Sequence, residues 1–197
     1  MSLTISRLTK FFDKKCIIKD FSYHFNSTGI YAIRGESGIG KTTLLRIIAG
    51  LDNDYTGSIL GGGIGRVGFA FQEHRLFPQL SGLENVVFSI SDRKDEAVYK
   101  KATTLLSRLG LSGEDILLTP AELSGGMKQR ISLARAFISP YPIILLDEPT
   151  KELDARNSSA VLDIISELSK TKLIILVSHN DDDMAALSAT EIHLQKT

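Results

Sequence analysis

Cysteine is nearly absent from this chain. Cys16 is the only one in 197 residues, so no internal disulfide can form. Cys16 itself reads as a half-buried strand residue. Net charge is missing too. Lysine plus arginine and aspartate plus glutamate both number 23, which gives no strong pull toward nucleic acid or an anionic membrane. No apolar run reaches the roughly 18 residues that a membrane-spanning helix needs. The first residues lack the basic-then-apolar pattern of a secretion signal. There is no repeat, low-complexity tract or long linker. These absences point to a cytoplasmic, non-secreted protein. His24, His74 and His193 show no metal-ligand spacing with one another or with Cys16, and they read as surface or structural. What remains is ordinary globular composition: 43% hydrophobic and 23% charged, enough for one sizeable core.

The apolar pattern alternates between strand and helix. Ile30 to Arg34 is a short β-type run that ends at Gly35. Thr42 to Ala49 is helix-compatible, with Gly50 as its stop. Ser58 to Phe71 holds two short runs around glycines 61, 62, 63 and 65, which predicts a small antiparallel hairpin. Residues 93 to 109 place Val98, Ala102, Leu105 and Leu109 on one helical face, with Asp92 as N-cap. Met127, Ile131, Ala134 and Ile138 form a second stripe, and Val161, Ile164, Ile165 and Leu168 a third. Ile143 to Leu146 and Leu173 to Val177 are continuous apolar runs, as expected of strands buried on both faces. Glu191 to Leu194 is the last apparent strand. Strands alternating with helices predict a parallel α/β sheet. Residues from about 75 to 135 are mostly helical and predict a separate lobe.

Gly35-Glu36-Ser37-Gly38-Ile39-Gly40-Lys41-Thr42 matches G-x-x-x-x-G-K-[ST]. Its glycines let backbone N–H groups turn inward around phosphate oxygens. Lys41 supplies a charge to the β- and γ-phosphates, and the Thr42 hydroxyl can ligate Mg²⁺. The helix that follows points its positive end at the same anion. A strand before and a helix after supply the context that the motif requires. Farther on, Asp147 and Glu148 stand where the run Ile143 to Leu146 ends. Ligands of parallel α/β sheets bind at the carboxyl ends of strands. Asp147 is suited to hold Mg²⁺ through water, and Glu148 to orient and polarise an attacking water.

A third segment, Leu123-Ser124-Gly125-Gly126-Met127-Lys128-Gln129-Arg130, narrows the field. It resembles the signature motif of the ATP-binding-cassette (ABC) ATPases. With it, the phosphate loop resembles that family's Walker A and Ile143 to Glu148 its Walker B. Phe71-Gln72 resembles the Q-loop, Leu153-Asp154 the end of the D-loop, and His179 the switch histidine. Phe12 aligns with the aromatic that stacks on adenine, although Phe12 or its neighbour Phe11 could equally be core. The order and spacing agree over nearly the whole chain.

The resemblance implies a P-loop NTPase with a RecA-like parallel core sheet. A small antiparallel β subdomain and an α-helical signature subdomain would complete the domain. Residues 1–75 and 136–197 would form the ATP-binding core and about 76–135 the helical part. Nucleotide would be bound by Phe12, Gly35, Glu36, Ser37, Gly38, Ile39, Gly40, Lys41, Thr42 and Thr43. Ser124, Gly125 and Gly126 would face the γ-phosphate of an ATP held by the opposite subunit, which makes the site shared between two chains. Thr42, Gln72 and Asp147 would hold Mg²⁺, while Glu148, His179, Gln72 and Lys41 would serve catalysis. The implied protein is a dimeric MgATPase, as a homodimer or with a second ABC subunit. It would drive a separate transmembrane permease and sit at the inner face of the membrane through it, with a solute-binding protein as a further partner and no nucleic acid. A soluble ABC ATPase of repair, translation or cluster assembly is the alternative. A general P-loop kinase leaves the signature segment unexplained.

Two departures stand out. The family commonly has Ser-Ala before Leu-Asp, and this chain has Lys151-Glu152, which puts dimer affinity in question. The predicted hairpin between Gly50 and Gln72 is short for the family. That shortness and the segment Phe71 to Pro78 resemble importers of small organic ions such as nitrate, sulfonate and taurine. No C-terminal regulatory domain is expected, since the chain ends soon after its last strand.

Overall fold

Residues 2–61, 65–90 and 96–195 are described by a computed structural model. Numbered in chain order, the strands are β1 (Leu3–Phe12), β2 (Lys15–Phe25), β3 (Gly29–Arg34), β4 (Thr56–Gly61), β5 (Val67–Ala70), β6 (Ile143–Asp147), β7 (Leu173–Val177) and β8 (Thr190–His193). The helices are α1 (Lys41–Ile48), α2 (Gly82–Phe88), α3 (Glu96–Arg108), α4 (Gly125–Phe137), α5 (Ala155–Leu168) and α6 (Asp181–Leu187). A five-stranded sheet runs in the order β5-β6-β7-β3-β8. Every pairing in it is parallel. A three-stranded sheet, β2-β1-β4, is antiparallel.

The continuous apolar runs are buried on both faces because each side of the parallel sheet is covered. All residues of β6 and β7 are buried. Alternate residues serve different layers. Ala32, Ile144, Leu146, Ile174 and Leu176 point into a cluster with α2 to α6. Ile33, Ile143, Leu145, Ile175 and Val177 point into another with α1 and the antiparallel sheet. Each fully buried Leu or Ile contributes about 1.5–3 kcal/mol relative to exposure. The helices of 82–137 therefore share one apolar cluster with a sheet face. Buried Asn85 on α2 shapes their entrance. It donates to the carbonyls of Phe77, Leu80 and Ser81 and accepts from the Phe77 N–H, at 2.8–3.1 Å.

The predicted hairpin of 58–71 does not form. Its two runs are β4 and β5, and they belong to different sheets. β4 pairs with β1, which lets Ile59 enter the core beside Leu3 and Ile5. β5 pairs with β6. Gly68 permits that position, because a Cβ there would stand 2.3 Å from the Ala136 carbonyl of α4. Gly62 and Gly63, between the two runs, lie outside the described residues, as does the N-cap Asp92. In α3 the fully buried residues are Ala102 and Leu106, followed by Leu109, while Val98 and Leu105 are half-buried.

The parallel register aligns the carboxyl ends of three central strands. Asp147 pairs with Val177, and Val177 with Ile33. The residues just beyond, Glu148, His179 and Gly35, thus meet at one edge of the sheet.

Candidate nucleotide site

A cavity of about 470 Å³ opens at that edge. The size suits a nucleotide. Its walls include Phe12, Ser37, Gly38, Gly40 to Thr43, Gln72, Asp147, Glu148 and His179. Ile17, Lys151 and Val177 complete it, and none of these three was expected from the sequence.

The phosphate loop wraps the amino end of α1. Gly40 has φ +106°, and a Cβ on it would lie 2.7 Å from Cγ2 of Ile17, so any side chain would be both strained and blocked. Lys41 is buried and folds back over its own loop. Its Nζ donates to the carbonyls of Gly35 and Glu36 at 2.8 and 2.9 Å. Those two residues thus brace the lysine, and with Ile39 they lie outside the cavity wall.

Thr42 and Asp147 join the two acid-and-phosphate motifs. The Thr42 hydroxyl donates to Oδ2 of Asp147 at 2.8 Å. Asp147 is only 2% exposed. Burial pushes its carboxyl up, against the Thr42 hydrogen bond and the charges of Lys41 and Lys151. A hydroxyl beside a carboxylate that can act through water suits a small hard cation, which keeps several of its waters when bound. The donor set of hydroxyl, carboxylate and the nearby Gln72 amide therefore fits Mg²⁺.

Glu148 follows with φ +55°, an unusual conformation for a residue with a side chain. Its N–H donates to the Val177 carbonyl at 2.8 Å, which ties the turn to β7. Its Oε1 lies 3.4 Å from Nε2 of His179. Phe12 is half exposed at the end of β1, as is Phe11, so neither ring is core. Only Phe12 faces the cavity. The Nζ of buried Lys10 lies 5.0 Å from the Phe12 ring centroid and is held by Asp52 and Asp54.

Ser124, Gly125 and Gly126 stand apart from this cavity. Ser124 is the N-cap of α4 and its Oγ accepts from the Met127 N–H at 3.3 Å. α4 is nonetheless fastened to the site. Buried Gln129 donates through Nε2 to the carbonyls of Glu148 and Pro149 at 3.2 and 3.1 Å. Arg130 bonds the carbonyls of Gly126, Leu109 and Gly110 and Oδ1 of Asn157, at 2.9–3.1 Å. Asn157 in turn is capped by Asp154, the N-cap of α5. A glutamine or arginine inside a helix has no sequence signal that separates these roles from solvent exposure.

Known proteins resemble this chain in sequence and in fold. The sequence matches the ABC transporter family over residues 18–151. An aliphatic sulfonates import ATP-binding protein, SsuB, of Bacillus licheniformis is 38% identical over 201 residues, covering 95% of this chain and 78% of that protein. The SsuB of Bacillus subtilis is 36% identical over 199 residues, with 95% and 77% coverage. Among solved structures, the dimeric ATP-binding cassette MJ0796 in a post-hydrolysis state with ADP and Pi superposes with a TM-score of 0.88. Its sequence identity is 27%, and the match covers 98% of this chain and 94% of that one.

Proposed function

This chain belongs to the ABC transporter family and is the ATP-binding, ATP-hydrolysing subunit of a transporter, and from that premise we propose how its own residues do the work. Gly38, Gly40 and the amino end of α1 cradle the phosphates, with Lys41 turning from its loop carbonyls to the anion. Phe12 stacks on the adenine. Thr42 and Gln72, with Asp147 through water, would hold Mg²⁺, which would supply charge neutralisation on the phosphates. Glu148 accepts a hydrogen bond from the lytic water and aims it in line with the γ-phosphorus. His179, 3.4 Å from Glu148, orients that carboxylate and donates toward the terminal phosphate. Catalysis then comes from positioning and electrostatic stabilisation.

Two such chains close around two nucleotides, each held between one phosphate loop and the partner's Ser124-Gly125-Gly126. No helix of the described residues is long and apolar enough to cross a membrane. The relatives' names, import ATP-binding proteins, support a transmembrane subunit on a separate polypeptide with this chain at its cytoplasmic side. Exposed Phe77 and Phe88 pack edge to face at 5.0 Å on the helical part near Gln72, an apolar surface suited to that contact. The relatives' names support an importer of small organic anions, and a solute-binding protein that delivers the cargo belongs to the same proposal.

The observation that carries this reading is the convergence of Lys41, Thr42, Asp147, Glu148 and His179 on one cavity. Glu148→Gln is expected to lower ATP turnover at least a hundredfold while nucleotide still binds. Turnover at the wild-type rate would remove Glu148 from its role. Copurification with a hydrophobic multi-span protein tests the transport assignment separately.

A further inference from the structure

Lys151 is the cavity residue that the mechanism above leaves idle. It is exposed and lines the same wall as Asp147, Glu148 and His179. Its placement follows from the turn after β6. The Lys151 N–H donates to the Glu148 carbonyl and the Leu153 N–H to the Thr150 carbonyl, both at 3.2 Å. Buried Thr150 bonds the Asp183 carboxylate through its hydroxyl, which anchors the base of the turn. Glu152 has φ +68°. This left-handed residue sends its own side chain the other way, toward Gly125. Adjacent residues of opposite charge thus face opposite targets.

We propose that Lys151 is a second phosphate-binding cation of the site, reaching the terminal phosphate of the nucleotide held by its own chain. The inference rests on the ATPase reading above. Lys41 arises at the loop that cradles the inner phosphates. Lys151 arises beside the general-base and metal-binding carboxylates, at the end where the γ-phosphate lies. A nucleotide with three phosphates brings extra negative charge to this end, and the flexible lysine stem can follow it. ADP brings none there. Lys151 therefore discriminates ATP from ADP before any partner subunit arrives.

The test is a binding titration with the magnesium complexes of β,γ-imido ATP and of ADP. The subunit is kept at a concentration where sedimentation velocity shows monomers. Lys151→Ser should weaken the imido analogue about tenfold and ADP less than twofold. Lys151→Arg should restore most of the difference. Unchanged ligand-free melting of both variants shows that they fold. An equal loss for both nucleotides, or no loss, overturns the inference. So does an effect seen only in the dimer, which would make Lys151 an intersubunit contact. If Lys41→Ala also leaves binding intact, the nucleotide-site reading fails as well, so the two failures are distinguishable.

Discussion

The Glu152 carboxylate lies against Gly125, so close that a Cβ on that glycine would stand 3.0 Å from its Oε2. Gly125 is the first residue of α4. A carboxylate at a helix amino end is electrostatically favourable. In the closed pair proposed above, the partner's terminal phosphate is also an anion and would need the same end of the same helix. His74 stands 3.9 Å from the carboxylate on its other side.

This contact predicts that Glu152 opposes closure. Glu152→Ala should strengthen ATP-dependent dimerisation by about tenfold, roughly 1.4 kcal/mol. Sedimentation equilibrium of the Glu148→Gln background, with and without the second change, measures it. A weaker dimer would show instead that Glu152 pairs with a cation of the partner.

Asp147 should limit the stability of the ligand-free protein. Burial raises its folded pKa above the unfolded value. Its contribution is therefore fully present below the unfolded pKa and is lost as pH rises through the folded pKa. Asp147→Asn should melt higher than wild type at pH 7, with the gap closing as pH falls toward 4. It should also lose Mg²⁺-dependent turnover. A lower melting temperature at pH 7 would contradict the burial argument.

Phe12→Ala should weaken ATP and ADP alike, by about tenfold, since base stacking is worth about 1–3 kcal/mol. Equal loss for both nucleotides separates this ring from Lys151, whose effect is selective. Fluorescence titration with both ligands decides it, and an effect on ATP alone would place the ring elsewhere.

Asn85→Ala should cost about 3 kcal/mol of stability. It removes three donated bonds and one accepted bond at a fully buried site, and leaves backbone groups of the 77–81 loop unpartnered. Urea unfolding reads the value. A loss below about 1 kcal/mol would mean that water replaces the amide.

The legible parts of this protein are those where chemistry is contiguous. Gly35 to Thr42 must be consecutive to wrap a phosphate, and Asp147-Glu148 must follow a strand, so both can be read from the chain. The runs of 143–146 and 173–177 are apolar throughout because both sheet faces are covered. The glycine-bounded runs at 58–71 misled for a physical reason. A strand looks the same in sequence whether it pairs with its neighbour or with a distant strand. Here β1 and β6 are the partners. Lys151 was visible as an unusual residue, but not its direction. That depends on the left-handed turn at Glu152 and on the Thr150–Asp183 bond across the fold. Asn85 has no signal in the sequence, and Gln129 and Arg130, though within the signature segment, show nothing of their internal bonds, because a polar residue in a helix carries no mark of burial.

Gln129 holds the peptides of Glu148 and Pro149, from the same helix whose first turn would address the other subunit's nucleotide in the proposed closed pair. Within one chain, then, a single side chain would couple what is read from a neighbour to how the water at home is aimed. Reciprocity follows from linkage: whatever free energy the distant nucleotide spends on moving α4 is felt at Glu148, and an equal amount returns. A closed pair of these chains would not fire as two separate engines. It would keep count.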